Sequence, residues 1–458
     1  MNHRLMRHAG VFIAMAFLLA SCSRNNANDA GENPVRSYLE GRFTLSAAVD
    51  SVPDYSGFEV LVVSNDGEQV DTLGIALTDS TGAFQLDIEA PDRGLYPLFV
   101  SRGGGVLSVD ELAVADGDSA TVQAEYPLTN RSLRIRSVEN AAWAAYRNTK
   151  AQHNSRLVEL LRNGQYHDET VRRSVAQTTM IFWSMRNTFP HTIGAELASA
   201  EAVMMMSDWD DSLAVAWALD ISPDNANYAG VTRAARQAQA RLAGQAAALQ
   251  LVRDFQDKAT DDDLRAQVQT ELILAYVDSS QHDEALAAAR SLADTYPSSP
   301  WADWADRAIY ELETLLPGMQ APAFSATTQE GDSIALDSLR GWLVLLEFYM
   351  PQDQVFQREL SERIALREAA GDEALTILSI SVEPDTLLNE AFLDGRDVPG
   401  THVFAPDGLE NELARSYNVN VVPTRYLIDR DGAIVAKYVG SAMTDVRRDI
   451  LALLQQGV

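Results

Sequence analysis

The sequence predicts a multidomain α+β protein with an N-terminal β-sandwich, an all-α middle and a C-terminal α/β domain. The chain has 458 residues, which is too long for one hydrophobic core, so about three domains are expected. Short alternating runs separated by turn residues fill the first part, and helix-forming residues at helical spacing fill the second. The last part contains two continuous apolar runs, which are typical of strands buried on both faces.

The first 21 residues have the organisation of a secretory signal peptide. Arg4 and Arg7 precede an apolar run that is about ten residues long, roughly half of what spans a bilayer. The run ends in residues 19–22 (LASC), and Cys22 is the only cysteine of the chain. This pattern resembles the lipobox of bacterial lipoproteins, which implies a lipid on Cys22 as the first mature residue. The alternative is an ordinary signal peptide followed by a stray thiol.

Residues 22–37 are polar and have no apolar period, so they are expected to form a flexible tether. Residues 38–127 alternate apolar and polar side chains in short runs, with turn signals about every eight to twelve residues, which predicts a β-sandwich. Residues 79–91 (DSTGAFQLDIEAP) resemble a β-sandwich domain of unknown function that precedes thioredoxin-like domains in envelope proteins of Bacteroidota.

Residues 138–316 are rich in Ala, Leu, Arg, Gln and Glu at helical spacing, and prolines interrupt the pattern as helix breakers. This segment is therefore predicted to be all-α. Residues 272–297 resemble a tetratricopeptide repeat, in which small side chains let two helices approach closely. Because one repeat is too short for a binding solenoid, a plain helical spacer between the flanking domains is an equal alternative.

Residues 317–458 are predicted to form the α/β domain. The apolar runs 343–349 and 375–382 indicate buried strands, and a helical pattern lies between them. Residues 426–438 contain two short apolar runs around a glycine-containing turn, which predicts an antiparallel hairpin.

Four segments of this domain have characteristic sequences: residues 317–324 (PGMQAPAF), 336–341 (LDSLRG), 343–349 (LVLLEFY) and 417–432 (YNVNVVPTRYLIDRDG). In their order and spacing they resemble the thioredoxin-like redoxins. The resemblance is greatest to envelope thiol-disulfide reductases related to cytochrome-maturation proteins and to alkyl hydroperoxide reductase. It covers about residues 318–454 and implies a thioredoxin-like fold.

The resemblance implies a dithiol shortly after residue 349, with two cysteines separated by two residues at the start of a helix. Asp353 and Phe356 occupy those two positions in this sequence, and no cysteine follows Cys22. The positive end of a helix stabilises a thiolate, and it accepts a carboxylate equally well, so Asp353 is predicted to be a helix N-cap. A carboxylate cannot form a mixed disulfide, so no catalytic residue is assigned.

The residues around the missing dithiol are retained. Pro423 matches the cis-proline of the family, and the resemblance implies that the preceding residue, Val422, pairs with substrate backbone. Glu359 matches a glutamate that is common after the dithiol in the envelope reductases. We assign Val422, Pro423, Thr424 and Glu359 to a groove. The alternatives are that Pro423 serves only the fold and that Glu359 is a solvated helix residue.

Charge and motifs exclude several classes of function. The 65 acidic and 36 basic residues give a net charge of −29, which repels nucleic acid and anionic lipid headgroups. The seven histidines show no metal-ligand spacing, and no Gly-x-Ser-x-Gly or Ser-x-x-Lys nucleophile motif is present. We therefore expect no metal site, no other cofactor and no nucleic-acid partner.

Two hypotheses of function remain. The first is a lipid-anchored protein of the bacterial cell envelope, facing the periplasm, that binds peptides or partner proteins without catalysis. The second is an envelope thiol-disulfide oxidoreductase or thiol-peroxidase relative that keeps a redox role through a thiol supplied by a partner. Because Cys22 is the only cysteine of the chain, the first hypothesis is favoured. The sequence does not indicate which membrane carries the anchor.

Overall fold

The structure is a computed structural model, and it describes residues 34–45, 54–65, 70–126, 133–165, 168–371 and 374–456. The chain forms two compact units, and the boundary between them falls after Thr260. Cys22, the predicted signal peptide and most of the predicted tether lie outside the described residues. Within the described residues, no helix is long and apolar enough to cross a bilayer.

The first part of the N-terminal unit is a sheet domain. Its described strands are β1 (Val35–Leu45), β2 (Phe58–Asn65), β3 (Val70–Leu77), β4 (Ala83–Ala90), β5 (Gly94–Arg102), β6 (Gly105–Val114), β7 (Ser119–Tyr126) and β8 (Arg134–Arg136). They form two four-stranded sheets, in the orders β4-β1-β7-β8 and β3-β2-β5-β6. Apolar side chains from both sheets share one core, as a sandwich requires.

The alternating pattern determines which side chains of β4 face this core. Phe84, Leu86 and Ile88 are buried, whereas the residues between them are not. β1 differs from the expectation, because it begins inside the segment predicted to be tether. Val35 pairs with Ala90 and packs against the core, so the strand starts before residue 38. Strands β3, β6 and β8 were not predicted, since the apolar side chains of β3 and of the first half of β6 are largely exposed.

Helices complete the N-terminal unit. They are α1 (Val138–Arg162), α2 (Asp168–Thr188), α3 (Ile193–Met206), α4 (Asp211–Ala218), α5 (Tyr228–Ala243) and α6 (Gln245–Lys258). The side-chain amide of Asn140 on α1 forms two hydrogen bonds of 3.0 Å with the backbone N–H and C=O of Ala113 on β6. Arg93 forms ion pairs with Glu139 on α1 and Glu196 on α3. These contacts attach the helices to the sheet domain.

The second unit begins with helices α7 (Asp262–Asp278), α8 (His282–Thr295) and α9 (Pro300–Thr314). The small residues predicted to lie in a helix seam, Ala275, Ala285 and Ala289, are fully buried. The assignment as a tetratricopeptide repeat stays a prediction. The segment 138–316, predicted as one helical domain, is thus divided between the two units.

Contacts of α9 explain why these helices belong to the C-terminal unit. The carboxylate of Glu311 lies 2.8 Å from Lys437 Nζ and accepts a 2.7 Å hydrogen bond from the Asn418 amide. The Tyr310 hydroxyl donates to the carbonyl of Ser416 at 2.8 Å. Glu311 is buried, so the pair with Lys437 is shielded from solvent.

The α/β domain follows. Its elements are β9 (Ser325–Thr327), β10 (Ser333–Ala335), β11 (Leu343–Tyr349), α10 (Gln354–Arg358), α11 (Leu360–Ala370), β12 (Leu375–Ser381), α12 (Thr386–Leu393), β13 (Thr401–Phe404), α13 (Glu412–Ser416), β14 (Thr424–Ile428), β15 (Ile434–Val439) and α14 (Met443–Gln456). The central sheet has the order β13-β12-β11-β14-β15. The two buried strands and the hairpin predicted from the sequence are confirmed as β11, β12 and β14–β15. The predicted element order also places a helix and a third strand between the second buried strand and the hairpin, and these are α12 and β13.

Candidate functional site

Sheet topology brings the predicted site residues together at the edge formed by the strand ends, where β11 ends and β14 begins. β11 and β14 are antiparallel, and Phe348 at the end of β11 pairs with Thr424 at the start of β14. The loop that leads to Asp353 therefore begins beside Pro423. The peptide bond between Val422 and Pro423 is cis, as the resemblance implied.

Asp353 is the N-cap of α10. Its side chain accepts a hydrogen bond of 2.7 Å from the backbone N–H of Phe356, one of the N–H groups that a helix start leaves without a partner. This confirms the role predicted for Asp353. In the register that the resemblance implies, the first thiol position thus holds a carboxylate that caps a helix.

Phe356, which the resemblance places at the second thiol position, is a core residue. Its side chain is fully buried and stacks on the ring of Tyr349, with centroids 4.2 Å apart. Phe392 of α12 completes a small aromatic cluster with both rings. The Phe356 side chain is therefore inaccessible to a substrate, whereas the partly exposed Asp353 carboxylate is engaged in capping α10.

We expect Asp353→Ala to destabilise the start of α10 by about 0.5–2 kcal/mol, because the hydrogen bond to the Phe356 N–H is lost. Asp353→Asn should cost less, since the amide oxygen still accepts that bond. Hydrogen exchange of the first-turn amides in the intact chain measures both effects. Equal exchange in the alanine variant and the parent would contradict the assignment.

Glu359 is buried, so the alternative of a solvated helix residue is wrong. One carboxylate oxygen lies 2.7 Å from Arg425 Nη2. The other accepts a hydrogen bond from the Ser441 hydroxyl at 3.0 Å and a longer one from the Met443 N–H. Its carboxylate is therefore committed to β14 and to the start of α14, rather than presented to an open groove.

The contact with Arg425 is part of an ion network that the sequence analysis missed. Glu347, in the middle of β11, pairs with Arg425 at 2.6 Å and with Arg363 of α11 at 2.8 Å. Together with Glu359 these side chains form a network of two carboxylates and two guanidinium groups, and Glu347, Arg363 and Arg425 are fully buried. The sequence contains one signal for this network, the charged Glu347 inside a strand predicted to be buried on both faces. A charge in that place needs a partner of opposite charge.

Burial and ion pairing have opposite effects on the acids and bases of this network. Burial raises the pKa of Glu347, but the guanidinium groups of Arg363 and Arg425 outweigh it and hold the pKa below its ordinary value. Burial alone would lower the pKa of Arg425, whereas its two carboxylate partners raise it. Glu347 is thus ionised, and its negative charge is compensated on both sides.

Tyr349 and His402 lie next to the network. The Tyr349 hydroxyl is 3.2 Å from His402 Nδ1, and His402 Nε2 is 3.1 Å from the carbonyl of Val398. Burial lowers the pKa of His402 and raises the pKa of the Tyr349 hydroxyl. Both side chains are therefore neutral near pH 7, and neither has the tuned acidity that a general acid or base needs at that pH.

The remaining groove residues differ in exposure. Pro423 and Thr424 are buried, and the Thr424 hydroxyl donates to the carbonyl of Val421 at 2.6 Å. Val422 is half-buried, and neither its N–H nor its C=O forms a hydrogen bond to any described residue. The N–H and C=O of Val422, in the loop before β14, are thus available for hydrogen bonds with an extended peptide segment.

A comparison with protein families matches residues 317–437 to the AhpC/TSA family. Two similar relatives come from Bacillus. A thiol-disulfide oxidoreductase ResA of Bacillus cereus is 26% identical over 125 residues, which cover 27% of this chain and 69% of that protein. The thioredoxin-like protein YneN of Bacillus subtilis is 28% identical over 134 residues, which cover 27% of this chain and 72% of that protein.

Among solved structures, the chain is similar to the thioredoxin domain of a thiol-disulfide oxidoreductase from Bacteroides vulgatus, with 22% identity and a TM-score of 0.27. That match covers 30% of this chain and 99% of the other. A thiol-disulfide oxidoreductase from Bacteroides fragilis gives 21% identity and a TM-score of 0.26, covering 29% of this chain and 98% of the other.

Proposed function

We propose that this chain, whose C-terminal domain is a thioredoxin-like redoxin domain, binds an extended segment of a partner protein without redox catalysis. One observation carries the proposal. The backbone of Val422 is unpaired beside cis-Pro423, while Asp353 and Phe356 at the dithiol positions serve the fold. A strand-like segment that paired with Val422 would gain backbone hydrogen bonds without needing a thiol.

The alternative is a redox role in which a partner supplies the thiol. It is favoured by one observation, the thiol-disulfide oxidoreductase name of relatives such as the ResA protein of Bacillus cereus. Disulfide exchange passes through a mixed disulfide, for which both reacting groups must be sulfur. The C-terminal domain has no cysteine to provide one of them.

We expect the purified soluble portion that follows Cys22 to show no turnover in an insulin-reduction assay and none in a peroxide-reduction assay. The physical reason is that no cysteine follows Cys22, so this portion contains no thiol and no disulfide. A thioredoxin that carries its dithiol, assayed in parallel, serves as the positive control. Turnover that persisted after repurification would favour the redox alternative.

An extracytoplasmic location and a lipid anchor are part of the same proposal. They are supported by the signal-like residues 1–21 and by the lipobox that ends in Cys22. Membrane fractionation of a Cys22→Ala variant tests the anchor, and a variant that stayed fully membrane-bound would contradict it.

The helices α7–α9 are proposed to act as a fixed extension of the binding domain, because the ion pair between Glu311 and Lys437 joins α9 to β15.

A further inference from the structure

We infer that the partner segment bound at this edge is cationic, an extended stretch in which Lys or Arg residues alternate with apolar side chains. The inference rests on the proposed binding function and adds the chemistry of the partner. It is carried by the charges, the exposed apolar side chains and the unpaired backbone of one sheet edge.

The strand directions bring five loops to this edge. β12 and β13 run parallel to β11 and end where it ends, while β14 begins there and β15 returns to it. The loops are residues 350–353, 382–385, 405–411, 419–423 and 440–442. Backbone hydrogen bonds connect neighbouring loops or strand ends, from Val382 N–H to Tyr349 O at 2.9 Å and from Gly440 N–H to Pro423 O at 2.8 Å.

The charges of these loops have one sign. The loops contain carboxylates and no Lys or Arg, and the acidic residues are Asp353, Glu383, Asp385, Asp407 and Glu410. Asp385, Asp407 and Glu410 are exposed. Exposed carboxylates on these loops attract segments of positive charge and repel segments of negative charge, which gives selectivity as well as faster association.

Exposed leucines lie beside the carboxylates. Leu387 and Leu388, in the first turn of α12, are 72% and 50% exposed. The Gln352 amide donates a hydrogen bond to Glu383, which brings the loop after β11 close to the start of α12. Because exposed apolar side chains clustered at a binding edge indicate contact with a partner, these leucines predict apolar residues in the bound segment.

The dimensions of the edge fit a short extended segment. Four strand ends, from β13 to β14, at about 4.8 Å spacing cover roughly 14 Å, whereas nine extended residues reach up to about 30 Å. Successive side chains of an extended segment point to opposite sides, so alternating residues can place basic groups and apolar groups on different faces. One such segment can thus span the loops while pairing its backbone with Val422.

The test uses the purified full chain and three fluorescent nonapeptides in which leucine alternates with lysine, with glutamate or with serine. We expect the lysine peptide to bind, with an affinity that falls as salt is raised, and the glutamate peptide to bind about tenfold more weakly or worse. The Asp407→Asn/Glu410→Gln double variant should bind the lysine peptide about threefold more weakly than the parent chain does. The matched control, Asp283→Asn/Glu284→Gln on α8, removes the same charge away from the edge and should leave binding unchanged.

Two further outcomes separate the inference from the function on which it rests. Equal binding of all three peptides would overturn the cationic partner and leave a binding function in place. Binding of none of them would overturn both. A Leu387→Ser/Leu388→Ser variant that bound the lysine peptide like the parent would contradict the apolar part of the inference, because these side chains are exposed and their replacement spares the core.

Discussion

Replacing Glu347 with alanine is expected to destabilise the C-terminal domain by about 3–5 kcal/mol, because it leaves Arg363 and Arg425 buried without the carboxylate between them. Arg425 would keep its ion pair with Glu359, but Arg363 would be left without a carboxylate and would keep hydrogen bonds to the neutral Ser379 hydroxyl and Pro399 carbonyl. Hydrogen exchange of the β11 amides in the intact chain should accelerate by roughly a hundred-fold to several thousand-fold.

Two comparisons isolate the cause of this effect. Glu313→Ala removes a carboxylate from an exposed pair with Arg290 in the same unit and should cost no more than about 1 kcal/mol. Glu347→Leu combined with Arg363→Met removes one charge of each sign and should destabilise less than Glu347→Leu alone. If the double variant were as unstable as the sum of its single changes, an uncompensated charge would not be the cause.

Replacing Phe356 with alanine should cost about 3–5 kcal/mol, because it opens a cavity beside Tyr349 and Phe392 in a fully buried cluster. The guanidinium of Arg363, 5.0 Å from the Phe356 ring centroid, would lose a cation–π contact as well. Exchange of the β11 and α12 amides measures the loss.

The exposed Leu388 provides the control for this prediction. Leu388→Ala in the neighbouring helix should change stability by no more than about 0.5 kcal/mol. If Phe356→Ala were as mild as Leu388→Ala, Phe356 would not be the core residue described above, and the second thiol position would be open.

The sequence predicts the strand order along the chain and the capping role of Asp353, because both depend on local patterns. It does not predict the partner of Glu359, because Arg425 is 66 residues away and only the pairing of β11 with β14 brings them together. Glu347 lies inside an apolar run that predicts a strand buried on both faces, and a carboxylate at that place requires a buried cation. Strand β3 is not predicted for a local reason, because its apolar residues are exposed.

The N-terminal unit illustrates the same limit. The alternation in β4 identifies its core face, but the docking of α1 depends on the Asn140 amide meeting the backbone of Ala113, which no sequence period reveals. The boundary after Thr260 likewise follows from contacts of α9 with residues more than a hundred positions later, such as Tyr310 with Ser416.

We propose that this domain keeps the frame of a thioredoxin-like redox site, while a helix cap and a core residue occupy its two thiol positions. The most direct measurement is the thiol content of an Asp353→Cys/Phe356→Cys variant after mild oxidation. Residues three apart in a first helical turn have Cβ atoms about 5–6 Å apart, close enough for a disulfide after a small local adjustment. We predict an intramolecular disulfide with no free thiol at either position. Two free thiols in a folded variant would contradict the register of this turn, and with it the account of a converted redox site.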